Sequence, residues 1–171
     1  MSAAENEQNV EQTRDKVQKW LMGEGWQISE QSHPDLLWLI RAEDAAQRRI
    51  LIGTNKARPD QLHLEARVNL AQEHQKMFEN LPQEKRREIL WELRFRLLSM
   101  NVDFVGVAEP MQAVVLTQRI YTDGLTKDAF LQRFLIVRNA VISVIWSIIR
   151  YLEAVEPPAE STEPKKKVTT H

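Results

Sequence analysis

Residues 120–155, IYTDGLTKDAFLQRFLIVRNAVISVIWSIIRYLEAV, decide the fold. They read as a strand end, a tight turn at Asp123-Gly124 and one long helix. Thr126 is placed to cap that helix, and Asp128 sits in its first turn, where the positive end of the helix dipole favours a carboxylate. No breaker follows before Pro157. That allows about 28 helical residues, or roughly 42 Å. Stepping at about 100° per residue, Phe130, Phe134, Val137, Val141, Val144, Ile145, Ile148 and Leu152 form a core stripe. Leu131, Leu135, Ile142, Trp146 and Ile149 widen the apolar arc to roughly 200°, about twice what one docked face needs. The helix is therefore expected to touch two things. Gln132, Asn139, Ser143 and Arg150 make its narrow polar arc. Arg138 falls about 80° from Phe130, inside the apolar arc. Either its stem lies over the core with its head in water, or the guanidinium is paired, within the chain or across an interface.

Working outward, the chain of 171 residues suits one domain with a real core. The expected boundaries are a polar, disordered tail at 1–9, a single domain at 10–156, and a proline-rich polar tail at 157–171. Near the start, Val10, Val17, Trp20 and Leu21 repeat at helical spacing, and Gly23 is expected as the left-handed residue that ends this helix. Short extended runs follow at 26–31, 36–42, 48–54 and 61–70. In the last, Leu62, Leu64, Ala66, Val68 and Leu70 alternate with His63, Glu65, Arg67 and Asn69, the pattern of an antiparallel sheet with one wet face. The connections are long enough for hairpins and too short for crossover helices, which predicts a meander.

A second helical region starts near Ala71, is interrupted by Pro82 and resumes to about Met100. Its later part carries a core stripe of Ile89, Leu90, Leu93 and Leu97, and on the opposite side a second stripe of Trp91, Phe95 and Leu98. Two extended runs at 102–109 and 112–121 have hairpin spacing and lead back to the long helix. The expectation is an α+β fold: helix, about four strands, helix, two strands, long helix, with three helices packed on an antiparallel meander plus hairpin.

The charge balance, Lys+Arg 23 against Asp+Glu 24, argues against a nucleic-acid protein, since duplex binding draws on unmatched basic charge. The absence of cysteine excludes disulfides and thiolate metal sites, and with no basic or apolar leader at the N-terminus a cytoplasmic location is expected. The stretch 134–152 is near the length of a membrane span but holds Arg138, Asn139, Ser143, Ser147 and Arg150, so it reads as a buried helix. His33, His63, His74 and His171 have no metal-ligand spacing. The five glycines form no phosphate-cradling loop, and no activated-nucleophile motif is present. The basic runs 85–88 and 165–167 read as solvated faces. No catalysis and no cofactor are expected.

Trp20-Leu21 with Gly25-Trp26, the strand pair at 102–121, and IYTDGLTKDAF at 120–130 give the chain a likeness in element order and anchor positions. It resembles the type III secretion chaperone-like fold, a small α+β domain, over roughly residues 10–155. The chain differs in an additional meander strand and in lacking an acidic net charge. The resemblance implies a homodimeric, chaperone-like protein-binding module. Its expected dimer or partner surface is Trp91, Phe95 and Leu98 with Leu135, Arg138, Ile142, Trp146 and Ile149. A protein client is the second expected partner, and no nucleic acid is. The alternatives are a membrane-surface adaptor using the last helix, and a hydrolase whose site is assembled from residues distant in sequence.

Overall fold

The structure, a computed structural model, describes residues 3–153. Four helices and six strands run in the order α1 (Ala3–Gly23), β1 (Gln27–Gln31), β2 (Leu36–Glu43), β3 (Arg49–Asn55), β4 (Arg58–Asn69), α2 (Gln72–Asn80), α3 (Gln83–Ser99), β5 (Asp103–Val105), β6 (Ala113–Tyr121) and α4 (Lys127–Glu153). The fold class is α+β, as the periodicities predict. The sheet is antiparallel throughout, in the order β1-β2-β3-β4-β6-β5. The meander supplies four neighbours in sequence, and the β5–β6 hairpin joins it through β6.

α1, α3 and α4 lie against the sheet, and α2 packs on α4. Across the central ladder, Leu62 opposes Ile120, Ala66 opposes Leu116 and Val68 opposes Val114, and all six side chains are buried. Two strands further, Ile40 opposes Ile52 on the same face. α4 lies across β4 and β6, α1 covers β1 and β2, and α3 sits beside β5 and α4. The other face presents His63, Glu65 and Arg67 opposite Arg119, Thr117 and Val115. This is the alternation predicted for the strand at 61–70, with the period-2 pleat sending every second side chain to water.

The core stripe of α4 is buried as predicted, with Ile145 half-buried. Thr126 caps α4, its hydroxyl oxygen accepting from the Ala129 N–H at 3.1 Å. Three boundaries and the helix count differ from expectation. α1 begins at Ala3, not near Val10, because residues 3–9 are good helix formers without an apolar stripe, so periodicity has nothing to detect there. Its left-handed C-terminal residue is Gly25 (φ +83°), not Gly23. The Trp26 N–H reaches the Leu21 carbonyl and the Gly25 N–H reaches that of Met22, a Schellman closure two residues later than predicted. The break at Pro82 falls where predicted, and the extended backbone of Leu81 and Pro82 makes it complete, so that α2 and α3 are separate helices and the count is four, not three. β5 is only three residues long, because Gly106 turns the chain at φ +89°. The predicted tail at 157–171 lies outside the described residues.

Candidate interaction surface

On α3, Ile89, Leu90, Leu93 and Leu97 are buried, while Trp91, Phe95 and Leu98 are exposed on the opposite side. One turn apart, Trp91 and Phe95 stack at 5.6 Å between centroids, with 27° between planes. The Arg94 guanidinium lies 5.0 Å from the Trp91 ring centroid. It also donates through Nε (3.0 Å) and Nη2 (2.7 Å) to the Val107 carbonyl, which fixes it to the β5–β6 connection. The indole is thus held by a tethered cation and a stacked ring. An aromatic group immobilised before binding loses little freedom when a partner covers it.

α4 carries the other stripe. Leu135, Trp146 and Ile149 are exposed, while Arg138 and Ile142 are half-buried. Leu135 and Arg138 line a cleft of about 440 Å³ between α4, the α1–β1 turn and the β2–β3 turn. Trp26 and Phe134 also line it, packed edge to face at 4.7 Å. Its outer wall is rigid because Asp44 accepts from the Ala46 and Arg48 amides at 2.9 and 3.0 Å and from Arg48 Nε at 2.7 Å. Burial alone would raise the Asp44 carboxyl, but these donors outweigh it and hold the group below its ordinary range. Among the described residues Arg138 has no ion pair.

The two stripes do not merge. Ser147 of α4 is buried, donates to the Ser143 carbonyl (2.7 Å) and accepts from Arg96 Nη1 of α3 (2.9 Å). Ser147 is five residues from Ile142, about 140° round the helix. α3 therefore docks on the flank of α4 away from the exposed stripe, leaving two separate apolar surfaces. Arg94, Arg96 and Ser147 escape a reading of the sequence because their partners are 13 and 51 residues away. A serine in an apolar helix facing no visible polar partner is the one local sign of such a link.

Other groups with shifted titration do not converge. Asp44 lines the cleft beside α4, Asp60 a cleft near Thr13 and Trp38, and His63 a shallow depression on the open sheet face with Leu39 and Leu51. Asp60 is held down by its bond to Arg58. His63 is held down first by burial and then by Arg119 and Arg58. Among the described residues no three His, Asp or Glu side chains come together to hold a metal ion.

No curated protein matches the chain. The crystal structure of an uncharacterized protein from Methanothermobacter thermautotrophicus superposes with a TM-score of 0.75 at 26% identity, over 81% of this chain and 98% of that one. The crystal structure of the ExsC-ExsE complex superposes with a TM-score of 0.43 at 18% identity, over 67% of this chain and 76% of that one. The model of an uncharacterized conserved protein family, DUF2299, matches residues 13–148, from the first half of α1 nearly to the end of α4, so the chain belongs to the DUF2299 family.

Proposed function

We propose that the protein is a non-catalytic protein-binding module, chaperone-like and homodimeric, working in the cytoplasm. The observation that carries this reading is that α3 and α4, each already docked on one side, carry second apolar faces on Trp91, Phe95 and Leu98 and on Leu135, Trp146 and Ile149. Contiguous apolar surface of this kind on a folded domain marks interaction sites. Two separate surfaces accommodate a second copy and a protein client at once. The scattering of Asp44, Asp60 and His63 over three sites supports binding over catalysis, since acid/base chemistry needs such groups within reach of one substrate. The chaperone-like element rests on the resemblance carried by Trp20-Leu21, Gly25-Trp26, the strand pair and residues 120–130.

Sedimentation of the wild-type chain is expected to give about twice the 20.0 kDa of one chain at micromolar concentration. Affinity purification from the native cell is expected to retain a protein that Trp91→Ala releases. A monomer with the same retained proteins in wild type, Trp91→Ala and Trp146→Ala would sink the reading.

A further inference from the structure

The exposed stripe of α4 has a symmetry in its spacing. Leu135 and Ile149 each stand seven residues from Ile142, and Arg138 and Trp146 each stand four. We propose that α4 pairs with α4 of a second copy, antiparallel about a twofold axis at Ile142, seating Trp146 of each copy beside Arg138 of the other. This rests on the protein-binding reading and names the partner of one of its two surfaces.

A twofold interface is isologous, so a residue at one offset from the axis meets the residue at the opposite offset in the other copy. The pairs that result are Ile142 with Ile142, Leu135 with Ile149, and Arg138 with Trp146. The aliphatic pairs match in size and the polar one matches in chemistry. A guanidinium stacks flat on an indole face and is attracted by its quadrupole. Trp146, 69% exposed, is the most exposed of the large apolar side chains, and Arg138 has no ion pair among the described residues.

The two Arg138 side chains would lie eight residues apart along the seam, about 12 Å, farther than the roughly 8 Å over which charges interact in physiological salt. Arg138 lines a cleft with Trp26, Phe134 and Leu135, and the pairing would bring the incoming indole to this side of α4. A large aromatic group buries about 150–250 Å². The seam runs about 21 Å from Leu135 to Ile149. The stripe is symmetric in spacing, and its unlike pair, Arg138 and Trp146, is matched twice over by a second copy running the other way. The α3 surface stays open for a different partner.

The chain has no cysteine, so a single introduced thiol reports its own neighbour. Under mild oxidation Ile142→Cys is expected to form a disulfide-linked dimer. Leu135→Cys and Ile149→Cys should each stay uncross-linked alone and cross-link when mixed, while Leu98→Cys on α3 stays monomeric in the denaturing gel. Trp146→Ala and Arg138→Glu should each raise the dimer Kd about thirtyfold, the size of an interface hot spot, with unchanged far-ultraviolet circular dichroism. Arg138→Lys, which keeps the charge and loses the flat fork, should fall between.

A dimer that cross-links at Leu98→Cys and not at Ile142→Cys overturns the pairing and leaves the protein-binding reading standing. So does a wild-type monomer that still holds a client released by Trp91→Ala. Flotation of the wild type with phosphatidylserine vesicles, abolished by Trp146→Ala, would assign the stripe to a lipid surface and also overturn the pairing.

Discussion

His63 stands half-buried on the wet face of β4, opposite Arg119. Burial and the nearby cations Arg119 and Arg58 disfavour its charged form, and Glu65 offsets them only in part, so its pKa lies below the ordinary 6.5. The unfolded chain then binds a proton that the folded chain does not, over the window from 6.5 down to the folded value. Stability contributed by neutral His63 is complete above 6.5 and is lost as pH falls through that window. Chemical denaturation midpoints are expected to drop between pH 7 and 5.5 in the wild type and to drop less in His63→Gln. Asp44 acts in the same direction but below 3.8, so the two effects separate along the pH axis. At this scale exposure was largely legible in the sequence: Trp91, Phe95, Leu98, Leu135, Trp146 and Ile149 are bare, as helical periodicity requires. What each polar group holds was not, since Arg94, Arg96 and Ser147 acquire their partners only when distant elements meet.

β5 ends at Val105 because Gly106 takes a backbone conformation that side chains resist, with the Ala113 carbonyl oxygen where a Cβ would go. Gly106→Ala is expected to destabilise by about 2 kcal/mol or more, from the forced left-handed backbone and the clash together. Urea denaturation measures it, and an unchanged midpoint would show that the connection relaxes freely. The existence of the six strands was legible because each run is short and bounded by turn residues, and the run at 61–70 alternates cleanly as well. Their order was only half legible. Hairpin lengths dictate β1 to β4, but nothing local places β6 beside β4 with β5 outside it, because that pairing closes over α2 and α3. The α1 boundary failed for the opposite reason: residues 3–9 have helix propensity but no apolar stripe to read.

The whole molecule is a two-layer domain with helices on one side of a single sheet, and the relative from Methanothermobacter thermautotrophicus overlaps it along 98% of its own length. The shared architecture is thus nearly all that the smaller protein has. If two copies associate through α4, unfolding and dissociation are coupled, and the thermal midpoint depends on concentration. A tenfold rise in protein is expected to raise Tm by about 2 °C in the wild type, by mass action. In Trp146→Ala the midpoint should move less over the same range. A wild-type midpoint independent of concentration would mean that the bare helix faces do not self-associate in this range. The same architecture leaves β1 and β5 as the margins of the sheet. β1 is five residues long, with Glu30 bonded to Gln18 of α1, and β5 is three. Neither margin can template a ladder like the nine pairs joining β4 to β6. Short margin strands give another chain little backbone to extend.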